Sequence, residues 1–104
     1  MTLDKDIFSE SLAAERLEKL HLTNGNITEF PVEAFQVLRK LKTLDLSRNE
    51  IKELKKNQFK NLRDVEILDL SFNKLIKLES SHIADLTKLS WCNVSHNELN
   101  ELTR

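Results

Sequence analysis

A chain of 104 residues and 12.1 kDa has room for one hydrophobic core and not for two. Sixteen Lys and Arg against seventeen Asp and Glu leave a formal charge of −1, which excludes the strongly basic balance that binding to a phosphate backbone demands. At 39% apolar and 32% charged residues the mixture suits a soluble fold, with no apolar run long enough to span a bilayer, and the lone Cys92 can close no internal disulfide.

In chain order, residues 1–10 carry Asp4, Lys5, Asp6 and Glu10 and lack the basic start and apolar stretch of a signal peptide. Leu3, Ile7, Phe8, Leu12 and Ala14 are apolar but out of phase with everything downstream. That pattern predicts an irregular N-terminal capping segment over residues 1–16.

From Leu17 onward the chain repeats with a constant period of 24. Leu17, Leu41, Val65 and Leu89 open units at 17–40, 41–64, 65–88 and a partial unit at 89–104. Equivalent positions form apolar columns: Leu20, Leu44, Leu68 and Cys92; Leu22, Leu46, Leu70 and Val94; Ile27, Ile51, Leu75 and Leu99; Phe30, Leu54, Leu78 and Leu102. Phe35, Phe59 and Ile83 make a further column, and Leu38, Leu62 and Leu86 close each unit. Around Leu20, Leu44 and Leu68 the apolar residues alternate with period two, which predicts a short strand with one buried face. Later in each unit they are spaced by three, as from Phe35 to Leu38, which predicts a helical or 3₁₀ turn leading to the next strand.

One such coil cannot bury its columns alone, so the coils must stack and pair their strands in parallel. Asn49, Asn73 and Asn97 recur three residues past each strand's last apolar position, where the chain turns and strands backbone N–H and C=O groups. A buried amide offers two donors and an acceptor to those groups. The first unit has Gly25 at this column, between Asn24 and Asn26, so the ladder is broken or shifted there.

LDLSRNEI and LDLSFNKL, with the trailing F-x-x-L, resemble the leucine-rich repeat pattern L-x-x-L-x-L-x-x-N-x-L-x-x-L over residues 17–104. The 24-residue version is similar to the subclass common in extracellular proteins, including Toll-like and insect immune ectodomains. The resemblance implies an α/β fold: a right-handed solenoid with short parallel strands on its concave side and irregular or helical returns on its convex side. It also implies a non-catalytic module that binds a protein partner through the concave face, within a larger secreted or cell-surface protein with a receptor or immune role. Extracellular members usually close both ends with disulfide-bonded caps, and neither appears here. The alternative is a structural element that self-associates, as a homodimer, through an open C-terminal edge.

Alternation assigns Lys19, His21 and Thr23, then Thr43, Asp45 and Ser47, then Ile67, Asp69 and Ser71, then Trp91, Asn93 and Ser95 to the concave face. Ile67, Trp91 and Phe72 are expected to cluster there, with Asp45, Asp69 and Asn93 beside them, as the partner-binding surface. Trp91 has a second reading, as a plug of the irregular C-terminal end. Asp45 and Asp69 on adjacent strands repel unless a cation, an Arg such as Arg48 or a basic partner lies between them.

Two carboxylates supply too few oxygens for calcium, Ser47, Ser71 and Ser95 follow the repeat instead of a nucleophile elbow, and no phosphate-cradling glycine loop occurs. No enzyme, metal or cofactor is expected. His82 and His96 read as exposed polar residues, and Cys92, in a leucine column, as a buried and inert thiol. Lys52, Lys55, Lys56, Lys60 and Arg63 read as a solvated outer face, with no interleaved aromatic stacking residues to favour nucleic acid. Two glycosylation sequons occur, at Asn26 and Asn93, the second on the expected concave face where a glycan would obstruct a partner.

Overall fold

A computed structural model describes residues 2–8 and 13–99, together with the backbone of 101–102. Leu12 and the side chain of Leu102 therefore lie outside the described residues. Four three-residue strands, β1 (Lys19–His21), β2 (Thr43–Asp45), β3 (Ile67–Asp69) and β5 (Trp91–Asn93), form one parallel sheet in the order β1-β2-β3-β5. Every register step is 24 residues, so Leu20, Leu44, Leu68 and Cys92 stand side by side. A second parallel pair joins β4 (Lys77–Leu78) to β6 (Glu101–Leu102) in the same step.

Burial follows from stacking. In the middle coils Leu41, Leu44, Leu46, Ile51, Leu62, Val65, Leu68, Leu70 and Leu75 are fully buried, because a coil covers each of them on both sides. Their equivalents in the outer coils, Leu17, Leu20, Leu22, Leu89, Val94 and Leu99, are only partly buried. Cys92 departs from the buried, inert reading: it is exposed, because β5 is an edge strand of the sheet and no described strand lies beyond it. Partial burial of its sulfur and the Asp69 carboxylate nevertheless push the thiol up from its ordinary value, which keeps it protonated at neutral pH.

The returns differ from coil to coil. The first contains a 3₁₀ helix over Val32–Ala34 entered through Pro31, the second runs through turns at 56–61, and the third contains the one-turn α1 (Ser80–Ile83). An aromatic chain fills the space beneath them, from Phe8 through Phe35 and Phe30 to Phe59, with ring centroids 6.0, 5.1 and 6.0 Å apart. Ahead of the first coil, Leu3 is buried, Thr2 bridges to Glu29 in parallel, and a 3₁₀ helix spans Ala14–Arg16. No helix among the described residues is long and apolar enough to cross a membrane.

Each asparagine of the ladder ties two coils. Asn49 Nδ2 donates to Leu46 O in its own coil and to Leu22 O in the preceding one, while its Oδ1 accepts from the Ile27 N–H. Asn73 repeats this with Leu70 O, Leu46 O and Ile51 N–H, and Asn97 with Val94 O, Leu70 O and Leu75 N–H. Asn49 Oδ1 also accepts from the Gly25 N–H at 2.9 Å, and a Cβ at Gly25 would come within 3.2 Å of that oxygen. The small residue at this position lets Asn49 approach.

Candidate recognition surface

The outward positions of the sheet form two columns. Lys19, Thr43, Ile67 and Trp91 make one; His21, Asp45, Asp69 and Asn93 make the other. Ile67 and Trp91 are direct cross-strand partners and are 40% and 48% exposed, so an aromatic and a β-branched side chain stand together uncovered.

The second column has a local job before any partner arrives. Asp45 Oδ1 accepts from the Ser47 N–H, Asp69 Oδ1 from the Ser71 N–H, and Asn93 Oδ1 from the Ser95 N–H, at 2.9, 2.9 and 3.0 Å. These side-chain turns end each strand and aim it into the asparagine turn. Ser71 Oγ adds a second bond to Asp69 Oδ1 at 2.6 Å. Ser47 and Ser71 are consequently buried, contrary to their assignment to the exposed face, because the turn folds them under the neighbouring coil; Ser95 stays exposed at the edge.

His21 Nδ1 lies 3.2 Å from Asp45 Oδ2. Burial by itself would raise the Asp45 carboxyl, but the Ser47 hydroxyl and N–H, followed by His21, outweigh it and hold the group below the ordinary carboxylate value. The second oxygen of Asp69 has no hydrogen-bond partner among the described residues. Arg48 does not lie between the two carboxylates. Its guanidinium sits 4.3 Å above the Phe72 ring, whose other neighbour is His96, stacked at 4.1 Å and 9°.

Phe72 thus stands in a column with Asn24, Arg48 and His96. All four residues adopt positive φ, between 55° and 61°. In a chain with one glycine the left-handed turn falls to ordinary residues, and inter-coil bonds hold it: the Arg48 N–H donates to Ser71 O and the Phe72 N–H to Ser95 O, each at 3.0 Å. Nothing in the residue types Arg, Phe and His signals this conformation; only their shared phase could have.

Sequence reasoning also missed Gln58. Its Nε2 donates to Phe30 O and its Oε1 accepts from the Lys55 N–H, both at 2.9 Å in the core. One coil later His82 Nδ1 accepts from the Glu79 N–H at 3.0 Å, so His82 is a half-buried capping residue and not the exposed group expected, whereas His96 is exposed as expected. Lys52, Lys55, Lys56, Lys60 and Arg63 are all exposed. Asn26 is exposed, whereas Asn93 is half-buried and spends its amide oxygen on Ser95.

Among the described residues no three His, Cys, Asp or Glu side chains come together to hold a metal ion. The arrangement offers an apolar anchor flanked by carboxylates. A comparison with curated proteins found no match. A model of the leucine rich repeat matches residues 15–75 and again 49–99, spanning nearly all of the described coils. Domains of this kind generally mediate protein–protein interaction and are typically non-catalytic. A parallel sheet stepping by one repeat and a family match over most of its length lead to one conclusion: the chain belongs to the leucine-rich repeat family.

Proposed function

We propose that the sheet face recognises a protein partner, with Ile67 and Trp91 as the anchor and Asp45, Asp69 and Asn93 as its polar flank. The observation that carries this reading is the uncovered cross-strand pair itself. Removing a large aromatic and a neighbouring aliphatic side chain from water is what binding hot spots do, and Trp is enriched among them. Carboxylates beside the anchor add specificity and steer encounter with a complementary, basic surface. We further infer a place in a secreted or cell-surface protein with a receptor or immune role. The likeness of LDLSRNEI and LDLSFNKL to the extracellular subclass supports it, as does the exposed sequon at Asn26, which lies outside the recognition columns.

The test is a panel of extracellular domains screened for binding to the chain and to the double variant Ile67→Ala/Trp91→Ala. Both positions are exposed, so the thermal melt should move little. Affinity should fall at least about a hundredfold, since two hot-spot truncations remove roughly 3 kcal/mol or more. Undiminished binding by a folded double variant would overturn the assignment.

A further inference from the structure

A groove of about 710 Å³ opens where each return feeds the next strand, lined by Arg39, Asn61, Arg63, Asp64, Thr87 and Lys88. It shares no residue with the recognition columns. None of its six lining residues is an apolar one, so the groove favours a polar ligand. Its charges sort into two sets. The Lys88 ammonium lies 3.2 Å from the Asp64 carboxylate, and the two neutralise each other. Arg39 and Arg63 make no ion pair or hydrogen bond through their side chains among the described residues. Glu15, one coil earlier in the column of Arg39, makes no ion pair with it. Asp85 is not among the lining residues; its Oδ2 is buried without a partner, and its backbone carbonyl accepts from the Thr87 N–H.

Positions 39 and 63 are equivalents one repeat apart, in coils whose strands pair in direct register. Both side chains line the same groove, within reach of one ligand. Two guanidinium groups on neighbouring rungs repel unless an anion bridges them, and each presents a planar fork matched to an oxyanion. The Asn61 amide and Thr87 hydroxyl add uncharged donors in the same groove. We propose that this groove binds a small multivalent oxyanion, a phosphate- or sulfate-type group without an apolar body, bridged between Arg39 and Arg63.

Titration calorimetry of the whole chain with sodium pyrophosphate, at fixed ionic strength, tests this. The chain and a control variant, Lys52→Ala/Lys55→Ala, should bind alike, since those exposed lysines lie outside the groove. Arg39→Ala/Arg63→Ala should bind at least about tenfold more weakly, the scale of one charge-assisted hydrogen bond. Arg39→Lys/Arg63→Lys, which keeps the charge and loses the fork, should also weaken binding, and it serves if the alanine variant fails to fold. Sulfate in competition separates the sources: displacement of pyrophosphate assigns the groove to oxyanions in general, and no displacement assigns it to phosphates. Absence of binding by the unmodified chain, or equal loss in the lysine-to-alanine control, would overturn the proposal.

Discussion

At the scale of single residues, the asparagines carry the connection between coils. Asn73 is buried and serves Ile51 N–H, Leu46 O and Leu70 O. Asn73→Ala strands all three and should cost about 3 kcal/mol or more, since each unsatisfied buried group costs roughly 1–3 kcal/mol. Asn97→Ala should cost less, because Asn97 is only half-buried and water can replace part of what it supplies. Urea unfolding of the two variants checks the order. Asp45 adds a pH dependence. Its carboxyl is held below the ordinary value of 3.8, so the folded state gains stability above that pH and loses it as acid protonates the folded group. Asp45→Asn should flatten this acid limb of the stability curve, measured by thermal melts from about pH 2 to about pH 5, a range that brackets the ordinary carboxylate value. Asn49, Asn73 and Asn97 were legible because an unvarying period exposes a recurring polar residue. Gln58, His82, Arg48, Phe72 and His96 were not, because their roles depend on inter-coil bonds to backbone that residue type does not announce.

At the scale of elements, a three-residue strand makes too few hydrogen bonds to persist alone, and its stability is that of its neighbours. Position in the stack should therefore set the cost of an identical truncation. Leu44, fully buried between two coils, should lose about 3 kcal/mol on Leu44→Ala, whereas half-buried Leu20 in edge strand β1 should lose about 1 kcal/mol on Leu20→Ala. Equal losses in chemical denaturation would mean that stacking does not govern burial. The same argument explains Cys92, whose leucine-like phase promised burial that only a further coil would deliver. Strand positions were readable because period-two alternation survives in every unit. The returns were readable only as turns: Pro31 starts a 3₁₀ helix in one coil and the Glu79–His82 capping box starts α1 in another, so equivalent positions take different conformations.

At the scale of the molecule, the repeat makes a nearly one-dimensional object in which each coil touches its neighbours. Columns of equivalent residues become continuous surfaces, and chemistry varies along a column where sequence varies within the repeat. That is how Ile67 and Trp91 come to share an exposed patch, and how Arg39 and Arg63 come to share a groove. Both depend on the 24-residue register. Scalar couplings across hydrogen bonds, measured by NMR on labelled protein, report that register directly. The Leu22, Leu46 and Leu70 amides donate to the carbonyls of Asp45, Asp69 and Asn93, at 2.8 to 2.9 Å. Coupling peaks joining those three pairs are the expected result. Peaks joining these amides to carbonyls at any other offset, or none at all in a folded chain, would contradict the stacked-coil account and both surfaces built on it.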